Sequence, residues 1–536
     1  MIKRVSLLLL LSVVGATSSF QLHHAVNLPT KNLIRSSGNV QSPHFQRGLQ
    51  TRGQLSAAMP ALPALRSALS LKGGFTFAST FGTGPDGMFN ALFAGLLATV
   101  FSLKTIGAKG LATKDDAAPK EIDPKVKSLQ WRFLAVFWLF RLAEWLQGPY
   151  FYEVYASKVI NGIVVTQDMI GYLFLSGFLT TALLGPVCGK LVDGFGRKKG
   201  SLAFVLFYVL GALSTKSPLL WLLFVGRFAS GIGTALLFCA PEAWLATEHE
   251  RKGLDGASLG KIFGLAYFGD SLVAMLAGQL AQASASVSGP TGPFMLSIAF
   301  LIAGGIMATA LWGENTAGNV ASTSAAGDEK GSSSSGGLKP AWEAMKADKK
   351  IISVGLIQSL FEGAMYTFVL QWPPAMIAAM SGGAKVPFGR IFSCLMASCM
   401  VGSTIFSKLI NRGIAVERSI SWIVGMASIA LACAAGFGLS NLPLLIASFF
   451  AFEAAVGFYF PAMGTLRARY LPDEYRGIMM TMFGVPLNLM VVAVYTNIRR
   501  LGTKGALLIS ATALAGSCLA SLRLQALIKE PSDEKA

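Results

Sequence analysis

Gly189-Lys190-Leu191-Val192-Asp193-Gly194-Phe195-Gly196-Arg197-Lys198-Lys199 is a charged turn, punctuated by glycine, between two apolar stretches. Each stretch is about long enough to cross a bilayer. The pattern is G-x-x-x-D-x-x-G-R-K-K. Its glycines let two helix ends approach closely and turn sharply. Arg197, Lys198 and Lys199 hold the loop on the cytosolic side of a membrane. Asp193 is a carboxylate near a helix end, suited to a partner helix N-terminus or to a cation.

Composition agrees with that setting. The 536 residues are 53% hydrophobic and 13% charged, with a mean hydropathy of +0.55. Such a chain is a polytopic membrane protein and not a soluble globule. The net charge of +18 would suit nucleic acid, but its distribution argues against that. Residues 1–85 carry eight of these charges on Lys3, Arg4, Lys31, Arg35, Arg47, Arg52, Arg66 and Lys72, with no Asp or Glu. Most of the other basic residues lie in short loops between apolar stretches, where they orient helices. Cys188, Cys239, Cys394, Cys399, Cys433 and Cys518 all fall in apolar stretches and read as small buried residues. None has metal-ligand spacing with His23, His24, His44 or His249, and no histidine lies inside an expected span. There is no phosphate-binding glycine loop and no nucleophile–histidine pair. The sequence therefore points away from an enzyme, a cofactor and a resident metal. Proton coupling within the membrane would have to use carboxylates.

In chain order, Met1–Ser19 reads as a secretory signal, with Lys3 and Arg4 before the apolar run Leu7–Val14. Phe20 to about Lys72 has transit-peptide composition. Together these residues, 1–85, form a leader outside the fold. Residues 86–127 hold a marginal apolar run, Met88–Leu103, and a polar linker. Twelve apolar spans follow from Ser128. Residues 128–313 form an N-terminal six-span half. Residues 314–350 form a flexible Ser/Gly-rich linker. Residues 351–527 form a C-terminal six-span half, and 528–536 a tail. Basic residues crowd the even-to-odd loops, which places the central linker in the cytosol, or in the stroma of a plastid.

Charges inside spans are expensive and usually functional. Span 1 carries Arg141 and Glu144, span 4 Arg227 and Glu242, span 5 Asp270, span 7 Glu362 and span 10 Glu453. Gln147, Gln358, Gln371 and Tyr366 add polar groups on spans 1 and 7. Arg141 and Glu144 stand one helical turn apart, which also fits plain mutual neutralisation. The halves echo each other: Phe238-Cys-Ala-Pro241-Glu242 in span 4 answers Phe458-Tyr-Phe-Pro461-Ala462 in span 10. Repeats of this kind put the substrate site near the bilayer midplane at their interface.

The turn at Gly189–Lys199 resembles the signature loop between helices 2 and 3 of the major facilitator superfamily. Gly226-Arg227-Phe-Ala-Ser-Gly231-Ile-Gly233 resembles that superfamily's fourth-helix motif, where an arginine serves either cycling or substrate contact. The resemblance implies an all-α membrane protein of twelve transmembrane helices in two six-helix halves. Helices 1, 4, 7 and 10 would line a central cavity, and Gly189, Asp193, Gly196, Arg197 and Lys198 would form a gating motif. Further stretches narrow the family: Glu144-Trp-Leu-Gln-Gly-Pro-Tyr-Phe-Tyr152, Glu242-Ala-Trp244, Trp312-Gly-Glu-Asn315, Gln358-Ser-Leu-Phe-Glu362 and Glu453 through Pro461. As a set they are similar to the molybdate-anion transporter family over about Ser128–Leu527. Arg141, the leader and the linker depart from the family.

That resemblance implies molybdate uptake by alternating access. Arg227, Arg141, Gln147, Gln358 and Tyr366 could donate to a tetrahedral oxyanion. Glu144, Glu242, Glu362 and Glu453 would repel a dianion unless paired or protonated. This favours proton symport, with Glu362 or Glu453 taking the proton. Open alternatives are a carrier of the same fold for another anion, a sugar or an organic cation, and a non-transporting solute sensor. The resemblance implies the plasma membrane. A bipartite plastid-targeting leader, suggested by Ala16-Thr17-Ser18-Ser19-Phe20, would imply the plastid envelope.

Overall fold

The computed structural model describes residues 81–108, 123–160, 162–316, 338–380, 385–472 and 474–529. The expected signal and transit segments, and the Ser/Gly run of the linker, lie outside the described residues. The chain divides into a unit ending at Leu92 and a unit from Phe93 to Ala536. The described residues of the first unit open helix α1, Gly84–Ala108, which is long and apolar enough to span a membrane.

The described residues of the second unit are helical nearly throughout. Its first half contains α2 (Pro124–Gln147), a short α3 (Phe151–Ala156), α4 (Gln167–Phe195), α5 (Arg197–Ser214), α6 (Leu220–Arg251), α7 (Gly256–Ser288) and α8 (Gly292–Leu311). A small hairpin, β1 (Val159–Ile160) with β2 (Ile163–Val164), joins α3 to α4. After α9 (Leu338–Ala347) come α10 (Lys349–Ala379), α11 (Phe388–Ile410), α12 (Val416–Gly436), α13 (Leu442–Tyr470), α14 (Arg476–Thr496) and α15 (Ile498–Lys529). Setting aside the short α3 and α9, these are the twelve expected spans. Helices α2 and α5 fall short of a span on hydropathy alone. The first carries Arg141 and Glu144 in its interior, and the second opens with Arg197-Lys198-Lys199. Their membrane position comes from packing. Phe133, Phe137, Phe140, Phe204 and Trp244 of α2, α5 and α6 share one buried core.

The two halves repeat the same pairing. In the first, α2 packs on α7 and α8, α4 on α6, and α5 on α6 and α8. In the second, α10 packs on α14 and α15, α11 on α13, and α12 on α13 and α15. Two seams join the halves: α7 against α11, and α4 against α14 and α15. At the first seam the backbones touch. A Cβ on Gly389 would stand 2.3 Å from the Gly278 carbonyl oxygen, and one on Gly278 would stand 2.5 Å from that of Gly389. Small residues at helix contacts are how membrane helices gain packing without a hydrophobic driving force. Ser393 Oγ donates to the Met275 carbonyl at 2.8 Å, and the Gly389 N–H donates to Gln282 Oε1 at 3.2 Å. At the second seam Gln167 Nε2 donates to Gln371 Oε1 at 3.1 Å, and the Phe174 and Tyr495 rings lie 5.1 Å apart. These contacts fall at the ends of the helices remote from the basic loops and hold the halves together there, on the side that the positive-inside rule makes the outer face.

Candidate functional site

The signature turn is built around Gly196, which ends α4 and opens α5 at φ +117°. No side chain fits there: a Cβ would lie 2.5 Å from the Glu314 carboxylate. Glu314 caps α5, accepting the backbone N–H of Lys198 at 3.0 Å and of Lys199 at 3.1 Å. Of the two partners suited to Asp193, the cation is the one present: Arg197 Nη2 donates to it at 2.9 Å. Lys198 Nζ reaches the Thr309 carbonyl at 3.0 Å, and Gly189 has open space around it. The stretch Trp312–Asn315 completes a clasp. Trp312 stacks on Trp244 with centroids 4.2 Å apart, Trp244 Nε1 donates to the Gly313 carbonyl at 2.8 Å, and Asn315 Nδ2 donates to the Trp244 carbonyl at 3.2 Å. Glu314 and Asn315, expected to begin the flexible linker, are thus anchored to the membrane domain. Near the linker's other end lies the helix α9.

Arg141 is fully engaged. Its guanidinium forks onto Asp270 of α7, with Nε to Oδ1 and Nη2 to Oδ2 both at 2.8 Å, and Nη1 donates to Glu144. Trp145 Nε1 adds a third bond to Asp270 at 2.8 Å. The neutralisation reading of Arg141 and Glu144 therefore describes this geometry, with Asp270 as the stronger partner. Arg141 has no free fork for an anion. Gln147 does not face a cavity either: it donates to Ser297 Oγ of α8 at 2.9 Å within the buried first half. Glu242 accepts a bond from Tyr267 of α7 at 2.5 Å.

Arg227 is different. Its guanidinium lies 4.6 Å from the centroid of the Phe151 ring on α3. Among the described residues no carboxylate pairs with it, and its Nε is buried without a hydrogen-bond partner. Gly177 of α4 leaves the room for it, since a Cβ there would lie 2.8 Å from Nη2. Beside it stands Tyr155, wholly buried, whose hydroxyl borders the guanidinium and has no acceptor for its proton among the described residues. Tyr155 escapes a search confined to charges within spans, because it lies on α3, past the end of span 1. The signal that finds it is its spacing: it stands one turn after Phe151, within reach of the same partner.

In the second half, Glu362 accepts a bond from Tyr459 of α13 at 3.1 Å. Gln358 lies one turn earlier, its amide oxygen buried without a partner. Tyr366 packs edge-on against Phe178 of α4, centroids 5.0 Å apart, across the junction of the halves. Glu453 is buried and makes no hydrogen bond or ion pair among the described residues.

Two six-helix halves with repeated pairing have the architecture of a major-facilitator membrane transporter. The fold matches that of a POT family transporter solved in complex with 5-aminolevulinic acid, at a TM-score of 0.59 and 12% identity, covering 75% of this chain and 97% of that one. A family of the major facilitator superfamily, described as sugar transporters with twelve transmembrane spans, matches residues 88–443, and the chain belongs to it. Over 376 residues the chain is 27% identical to a molybdate-anion transporter of Xenopus tropicalis, covering 69% of this chain and 78% of that protein. It is 28% identical to one from Takifugu rubripes over 393 residues, covering 69% and 79%.

Proposed function

We propose that this protein carries an inorganic oxyanion, molybdate, by alternating access of its two halves, with Arg227 as the principal anion ligand. The observation that carries the reading is the unused fork of Arg227 within a span. A lone arginine at the centre of a membrane helix costs about 2.5–3.5 kcal/mol by insertion scales. A dianion about 4 Å away would return roughly 8 kcal/mol at an effective dielectric of 20. That attraction is set against the desolvation of both ions, and the arginine's share of that cost is already spent in the empty site. The similarity to molybdate-anion transporters supports the choice of anion. Arg141 does not share this role, because Asp270 and Glu144 already consume its donors.

Glu362 and Glu453 are the coupling candidates. A proton taken by one of them as the dianion enters would limit their repulsion. An organic cation is the second reading, and buried, unpartnered Glu453 favours it. Uptake into proteoliposomes of the full chain separates the two. Saturable molybdate uptake, competed by sulfate but not by an organic cation or a sugar and lost in Arg227→Met, is the expected result. Uptake of the cation alone would overturn the proposal. Uptake that ignores an imposed proton gradient would remove the symport step. No uptake of any solute, from folded protein, would favour a sensor. By family resemblance the carrier sits in the plasma membrane. A fluorescent fusion found in the plastid envelope would instead make the leader a bipartite targeting signal.

A further inference from the structure

We infer that the Tyr155 hydroxyl is a second ligand for the oxyanion, donating to it beside Arg227; this rests on the reading of Arg227 given above. Helix α3 starts after a 3-10 turn, Gly148–Tyr150, that interrupts the path of α2. Its Phe151 and Tyr155 rings meet edge to face, with centroids 5.3 Å apart. Both border the same guanidinium, Phe151 by its ring and Tyr155 by its hydroxyl. Tyr155 is wholly buried, Arg227 Nε is inaccessible and unpaired, and among the described residues no acceptor takes the tyrosine's proton.

A buried hydroxyl that serves packing finds a carbonyl. Tyr495 does so in this protein, donating to the Tyr366 and Thr367 carbonyls at 3.0 and 3.1 Å. Tyr155 has no such bond, and leaving a buried polar group unpaired is costly. Arg227 cannot remove that cost by donation alone, because the tyrosine's proton still needs an acceptor. Two donors side by side, one cationic and one neutral, share a need for one group with several acceptor oxygens. A tetrahedral oxyanion is such a group. Gly177 supplies the clearance on the α4 side, where a Cβ would crowd both Nη2, at 2.8 Å, and Nε, at 3.3 Å. Because the hydroxyl is neutral, it adds a directed bond without adding charge. Its loss weakens binding and leaves the Arg227 charge in place.

The test is equilibrium dialysis of molybdate, and separately of sulfate, against purified full-length protein and its Tyr155→Phe variant, with the melting temperature of each ligand-free protein recorded. Tyr155→Phe keeps the ring and removes one hydrogen bond to a charged acceptor. Molybdate affinity should fall about tenfold or more, with KM rising and the maximal rate changing less in uptake. The ligand-free melt should hold or rise, which a purely structural hydroxyl would not permit. Affinity within twofold of wild type would overturn the inference and leave the Arg227 reading standing. Wild-type protein that binds sulfate but not molybdate, with Tyr155→Phe weakening the sulfate, would keep the inference and sink the molybdate assignment. Wild-type protein that binds neither anion would sink both. If Tyr155→Phe fails to fold, Gly177→Ala serves in its place. Its methyl intrudes on the guanidinium, and unchanged anion affinity would overturn the shared site.

Discussion

Arg227→Met should make the ligand-free protein more stable while abolishing uptake. The guanidinium is partly buried in α6, and its favourable contacts among the described residues are the Tyr155 hydroxyl beside it and the Phe151 ring at 4.6 Å. The ring contact is worth about 1 kcal/mol, or 2 where the site is dry. Holding the unpaired charge at this depth costs about 2.5–3.5 kcal/mol. Methionine keeps an unbranched stem and removes the charge, so the balance is a gain of about 1–2 kcal/mol. Each kcal/mol shifts the melt of a 150–250-residue domain by about 2–4 °C, and of one twice that length by about half as much, which predicts a rise of about 1–3 °C. The assay is a thermal melt by tryptophan fluorescence in detergent, with and without molybdate. At a hundredfold excess over Kd, wild-type protein should gain about 2.7 kcal/mol from ligand, and Arg227→Met should gain nothing. A variant that melts below wild type without ligand would refute the argument, for it would mean that Arg227 already has a partner worth more than its burial costs.

Other substitutions carry their own signs. Arg141→Met leaves Glu144 and Asp270 with no cation between them and should cost about 3–5 kcal/mol, read as a fall in the same melt. Adding Asp270→Asn should recover part of that loss, and strict additivity would show that the fork contributes no coupling. Glu314→Gln weakens the α5 cap and should cost about 1 kcal/mol, lowering the melt without changing KM. Gly389→Leu cannot fit against the Gly278 carbonyl. It should open the outer face, raising the labelling rate of a cysteine placed at Tyr150 and lowering uptake severalfold. Glu153 lies outside the spans, on α3; burial pushes its carboxyl above the ordinary range and Lys385 draws it part of the way back. The folded state therefore binds that proton more tightly than the unfolded chain. Its contribution is full below the ordinary carboxylate pKa and is lost as pH rises to the raised one. Glu153→Gln should flatten the melt over that window.

The fold was legible because spans announce themselves by length, apolarity and basic loops, and those signals are local. The turn at Gly189–Lys199 needs a glycine at Gly196 for reasons that lie partly in its own chain direction. The other part lies in Glu314, far along the sequence, and no spacing rule reveals it. The charged residues show the same limit. Arg141 and Arg227 look alike as arginines within spans, and only packing tells them apart. One meets Asp270 on α7, 129 residues away in sequence. The other meets an aromatic ring and a glycine. Gln147 looked like a cavity residue by its position on span 1, yet the face it occupies is set by how α2 rotates against α8. Tyr155 was hidden for a different cause. The break at Gly148–Tyr150 carries the chain out of span 1 and brings it back against α6 in a helix too short to show in hydropathy.

The contact of Gly278 with Gly389 also bears on how such a carrier can drift in evolution. The outer face is held shut at this point by backbone against backbone, with no side chain between them to enlarge or trim. Every substitution at either glycine adds atoms, so mutation here can act in one direction only, towards opening. A lineage that needs the outer face held more tightly must find the change in the side chains around the pair, at Ser393 or Gln282, or at the other seam, at Gln167, Gln371 or the aromatic contact of Phe174 with Tyr495. Those residues can then vary in step with the demands of the solute, while the glycine pair admits change only towards a looser closure.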